Sequence, residues 1–146
     1  MAAKNVYLVP IDFSPGSDRA LDYALKLMSE NKENKAKIIA LHVVPTEMLY
    51  TPIDARFDLS SLLERDARAA FVKLAKRKRL NPSDCSFAVV RGTNFGEIIA
   101  RQAKKLGATM IVMGSHGRTG FQRFFLGSVA EKTLRHADCP VLIVKK

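Results

Sequence analysis

Gly114, Gly117, Gly120 and Gly127 fall within fourteen residues, interleaved with Ser115, His116, Arg118 and Ser128. Such a segment suits phosphate binding. Glycine lets backbone amides approach an anion with no side chain in the way and permits positive φ angles. A helix start adds free amides and the positive end of a dipole. Ser128 is read as the cap of that helix, with Glu131 completing a capping box. Arg118 can add a charged donor fork. The spacing is neither a Walker A loop nor the dinucleotide Gly-x-Gly-x-x-Gly pattern. A surface loop with turn glycines is the plainer alternative.

Asp12, at the end of the first apolar run, offers a carboxylate whose position favours a ligand role, with a turn or helix cap as the plainer alternative. Ser115 beside His116 resembles a nucleophile pair. Adjacent loop residues rarely present side chains to each other, however, and no third group is evident to orient the imidazole, so no nucleophile is expected. His42, inside an apolar run, reads as a satisfied core or sheet-end histidine, and His136 as a favourable group at a helix end. Cys85 and Cys139 have no metal-ligand spacing and read as two buried thiols.

These residues must be positioned by alternating strands and helices. Strands are expected at 6–11, 37–44, 86–90, 109–113 and 140–144. The first helix follows Ser14-Pro15, with Ala20, Leu21, Ala24, Leu25 and Met28 facing inward. A loop is expected over 45–58. A second helix starts near Ser61 with Glu64 as capping-box partner, carries Leu63, Ala67, Ala70, Phe71 and Leu74 inward, and breaks at Asn81-Pro82. The third helix spans 94–106 and ends at Gly107; the fourth spans 129–136. One β-α repeat throughout, in 146 residues, predicts a single α/β domain: a doubly wound parallel sheet with helices on both faces. Ligands in such sheets bind beyond the carboxyl ends of the strands.

The spacing Gly114-x2-Gly117-x9-Gly127-Ser128 resembles the signature of ATP-binding universal stress proteins. The likeness runs through the chain: residues 9–14, Leu41-His42-Val43, residues 112–117 and 138–142 resemble that family's strands and turns. The resemblance implies the strand order 3-2-1-4-5, an adenine nucleotide alpha hydrolase-like fold, and ATP (or AMP or ADP) across the ends of strands 1 and 4, with magnesium or manganese on the triphosphate. It assigns Asp12 to the ribose. Pro10, Ile11, Val43 and Met113 go to the adenine, and Gly114, Gly117, Arg118, Gly127, Ser128 and Val129 to ribose and phosphates. It also implies a homodimer through the last strand and a role in stress response, with signalling through a protein partner or through the dimer state.

Composition sets the remaining expectations. Lys plus Arg is 24 against 14 for Asp plus Glu, a formal charge of +10, which attracts anions of any kind. The basic run Lys73, Lys76, Arg77, Lys78 and Arg79 reads as a solvated face with no interleaved aromatics to stack bases. Nucleic acid is therefore the weaker alternative partner, and no membrane contact is expected. No signal-peptide pattern is present, and no apolar run approaches ~18 residues, so the cytoplasm is expected. Phe121, Phe124, Phe125 and Leu126 are read as a lid, a partner contact or packing on the domain. The leading reading is a nucleotide-binding module, not an enzyme; the rival is a slow ATP hydrolase or nucleotide transferase at the same site.

Overall fold

The computed structural model describes residues 5–33, 35–46, 58–118 and 125–145. The elements run β1 (Val6–Pro10), α1 (Pro15–Glu30), β2 (Lys37–Val44), α2 (Leu59–Lys78), β3 (Cys85–Arg91), α3 (Phe95–Lys105), β4 (Met110–Gly114), α4 (Ser128–His136) and β5 (Val141–Val144). All strand pairs are parallel, in the order β3-β2-β1-β4-β5, as expected.

The sheet separates two apolar cores. Tyr7 and Val9 of β1 face α1 and α2, where Ala20, Leu21, Ala24 and Leu74 are buried. Leu8, between them in sequence, faces α3 and α4 with Ile99, Ala103 and Ala130. This alternation follows from the two-residue period of a strand. It also explains why the short central strands are apolar throughout. The β1-to-β4 step reverses the winding direction, so the ends of β1 and β4 open a crevice between the two helical layers.

Several local expectations are corrected. Helix α2 is capped by Asp58, not Ser61: the Asp58 carboxylate accepts from the Ser60 and Ser61 amides at 3.1 and 3.3 Å. Glu64 is drawn away from any capping box by Arg91. The Ser61 hydroxyl bond and the nearby Arg91 guanidinium hold the Asp58 carboxyl below its ordinary value. Helix α2 ends at Lys78 because Arg79 turns into the left-handed region (φ 54°), before Asn81-Pro82 is reached. The basic run is not simply a solvated face. Lys78, with a side chain only 10% exposed, spans Asp18 at 3.1 Å and Asp22 at 2.6 Å, and Arg77 meets Asp18 at 3.0 Å, tying α2 to α1. Cys85 is buried, and burial pushes its thiol up to about 11; Cys139 is only partly buried, against expectation. The loop expected over 45–58 lies mostly outside the described residues.

Candidate functional site

Helix α1 begins immediately beyond β1, and its entry shapes one wall. Ser14 caps it, accepting from the Ser17 amide at 3.3 Å, with Pro15 in the first turn. Asp12 Oδ1 accepts from the Ser14 amide at 3.0 Å, so the turn role allowed for Asp12 is real. Its other oxygen remains: Oδ2 faces Gly117, where a Cβ would stand only 2.8 Å away. Between these residues Phe13 adopts φ 63°, an uncommon conformation for a bulky residue, of the kind that clusters at functional sites.

The opposite wall is the exit of β4. A Cβ at Gly114 would meet the Gly16 backbone at 3.0 Å, and one at Gly127 would meet the Ser115 carbonyl oxygen at 2.9 Å. These glycines therefore serve chain-to-chain approach first. Positive φ, expected as part of their use, occurs among the described glycines only at Gly107. The Gly127 amide donates to Ser115 O at 2.8 Å, folding the loop back so that α4 starts beside β4.

Helix α4 starts one residue earlier than expected, and this changes its end. Gly127 is the N-cap, so no side chain caps the helix; Ser128 is the first helical residue. Glu131 pairs with Arg135 at 2.9 Å instead of closing a capping box. The amides of Ser128, Val129 and Ala130 consequently have no acceptor within the helix and lie along the crevice. Arg118 Nε donates to the Asp12 carbonyl oxygen at 2.9 Å, which brings its guanidinium to the same place.

The crevice has a volume of about 940 Å³ and is lined mainly by apolar atoms. That is ample for a nucleotide, since small-molecule sites run to roughly 300–1,000 Å³. Pro10, Ile11, Asp12, Val43, Met113, Gly114, Gly117, Arg118, Gly127, Ser128 and Val129 all line it. Sequence reasoning missed Phe95, and assigned Leu63, Ala67, Ala70 and Ile99 to the core alone, although they also form its walls. Helical spacing shows that such residues face inward, but not that the inward face continues past the strand ends.

Two further expectations are revised. Ser115 and His116 do meet: Ser115 Oγ is 3.0 Å from His116 Nδ1. His116 Nε2 is buried and has no partner among the described residues, so none of them orients the ring as a third group. In the aromatic segment, Phe121 and Phe124 lie outside the described residues. Phe125 is 69% exposed, whereas Leu126 packs on the core between the sheet and α3–α4.

The sequence profile of the universal stress protein family matches residues 6–145. The chain belongs to the universal stress protein family. Among universal stress proteins, MJ0531 of Methanocaldococcus jannaschii is 34% identical over 145 residues, covering 98% of this chain and 85% of that protein. The structure of MJ0577, a universal stress protein of the same organism, superposes with a TM-score of 0.77 at 27% identity, over 97% of this chain and 96% of the other. A universal stress protein solved in complex with cAMP shares the fold, with a TM-score of 0.64 at 23% identity over 97% of each chain. The fold is thus that of the adenine nucleotide alpha hydrolase-like proteins. Among the described residues, no helix is long and apolar enough to cross a membrane.

Proposed function

We propose that this chain binds an adenine nucleotide, ATP or its AMP or ADP relatives, across the ends of β1 and β4. The observation that carries the reading is the convergence, on one crevice, of the Asp12 carboxylate and the uncapped start of α4. A carboxylate oxygen accepts from ribose hydroxyls, and free helix amides with the dipole receive phosphate. Ile11, Val43 and Met113 supply apolar walls for a flat base. The likeness of fold to a universal stress protein solved with cAMP agrees with this choice. Among the described residues, no cluster of three His, Cys, Asp or Glu side chains could hold a metal. Magnesium or manganese would therefore arrive on the phosphates, with water completing its shell, as hard cations commonly do. The cation would neutralise phosphate charge; the protein's own groups would place base, ribose and phosphates.

The reading is of a stress-response binding module in the cytoplasm, and not of an efficient enzyme. Asp12 already spends one oxygen on its turn, and among the described residues His116 has no orienting partner. The Ser115–His116 contact favours the rival reading, slow hydrolysis or group transfer at the same site. Titration calorimetry is expected to show MgATP binding, and no heat up to millimolar ligand would overturn the proposal. Phosphate release is expected below ~1 per minute, against 1–1,000 per second for typical enzymes. Faster turnover lost in Asp12→Asn would establish the rival.

The dimer is part of the same proposal. Strand β5 lies at the sheet edge, and all four of its residues, Val141, Leu142, Ile143 and Val144, remain partly exposed. An apolar edge of this kind calls for pairing or cover. Pairing of β5 with its copy across a two-fold axis satisfies both needs and gives a protein partner a nucleotide-dependent surface to read. Sedimentation at micromolar concentration is expected to give the dimer mass; a monomer would refute this route.

A further inference from the structure

Where β1 and β2 reach the crevice, their ladder stops early. Ile11 N–H donates to Leu41 O at 2.8 Å. The next rungs of a parallel pair would be Val43 N–H to Ile11 O and Phe13 N–H to Val43 O. Neither forms. Instead, His42 Nδ1 stands 2.7 Å from Ile11 O. A carbonyl oxygen only accepts, so Nδ1 carries the proton and donates. The Phe13 ring lies against the imidazole, centroids 5.2 Å apart, and the positive φ of Phe13 swings the chain away from β2.

The consequence falls on Val43. Residues of β2 alternate in the neighbour they bond: Val44 O accepts from Gly92 on the β3 side, so the N–H and C=O of Val43 face β1. There they have no partner among the described residues. An adjacent donor and acceptor at the rim of an apolar slot complement a base edge carrying an acceptor nitrogen beside an amino group. A 6-aminopurine has that edge; a 6-oxopurine presents the reverse.

We infer that His42 is a positioning residue for base specificity: by occupying the Ile11 carbonyl it keeps the last β1–β2 rung open, leaving the Val43 backbone to select 6-amino over 6-oxo purines. This rests on the nucleotide reading above. His42 itself need not touch the base. Its removal lets the Val43 amide close onto Ile11 O, which costs the base its donor.

The test compares the native chain with His42→Leu, which lacks the donor, and His42→Asn, whose amide N–H reaches a similar distance. Affinities are measured for MgATP and MgITP, and exchange of the Val43 amide is followed by NMR without nucleotide. The native chain and His42→Asn are expected to prefer ATP by about ten- to hundredfold, the range for one mispaired base edge. In His42→Leu the preference shrinks to within about threefold, and the Val43 amide exchanges about tenfold more slowly. A folded His42→Leu that keeps the full preference overturns the inference, as does a native chain that does not distinguish the two triphosphates. If His42→Leu fails to fold, loss of the preference in folded His42→Asn overturns it. Should the native chain bind neither triphosphate, the nucleotide reading falls, and His42 is judged on exchange alone. A native Val43 amide as protected as that of Leu41 then overturns it.

Discussion

Gly117→Val is expected to weaken nucleotide binding by about a hundredfold or more while leaving thermal stability nearly unchanged. A Cβ at this position would stand 2.8 Å from Asp12 Oδ2, the carboxylate oxygen assigned to the ribose. Asp12 cannot simply swing aside, because its other oxygen holds the Ser14 amide at the head of α1. The branched side chain would also fill space between Asp12 and the start of α4, where the phosphates enter. A hundredfold loss corresponds to about 2.7 kcal/mol, of the order of one lost charge-assisted contact and its steric displacement. Gly117 is exposed, so the fold has little to lose. Calorimetry with MgATP beside a melting curve checks both parts. Unchanged affinity would remove the ribose role of Asp12.

The second large effect concerns stability. Gly96 sits in the first turn of α3, where a Cβ would collide with Lys132 Cβ and stand 3.0 Å from the Thr133 amide nitrogen of α4. The obstacle is a helix and not the far end of a flexible chain, so α4 must move. Overpacking of this kind costs typically 1–3 kcal/mol. Gly96→Ala is therefore expected to lower the melting temperature by about 3–10 °C. Because α4 carries Ser128 and Val129 into the crevice, nucleotide affinity falls as well. The joint loss separates this variant from Gly117→Val, where affinity falls alone. A melting temperature unchanged by Gly96→Ala would show that the two helices do not meet as closely as described.

Much of this architecture was readable along the chain, for identifiable reasons. Helices and strands arise from local periodicity: residues 37–44 alternate toward two cores, and Ala20, Leu21 and Ala24 recur at helical spacing. The Ser14-Pro15 start of α1 depends only on neighbours in sequence and is legible there. At the other helix starts several capping groups compete, and local sequence does not decide among them. Asp58 outdid Ser61, and Arg91, distant in sequence, took Glu64. At α4, the fold-back to Ser115 made Gly127 the cap and left Ser128 inside the helix.

Spacing alone marks the glycine segment, and each residue assigned to the site does line one crevice. Sequence by itself determined which elements form, which faces are apolar and, through family resemblance, the strand order, since these rest on local pattern and chain-wide similarity. Only the tertiary structure decided what the residues do to one another. It placed Gly114 and Gly127 against neighbouring backbone, brought Ser115 onto His116, and spread the inward faces of α2 and α3 into the crevice walls. It also put His42 on the Ile11 carbonyl and so left the Val43 backbone open. The last of these could not be read from a chain, because a missing rung is a relation between two strands and a turn. Nothing in the local sequence of either strand specifies a hydrogen bond that is not made.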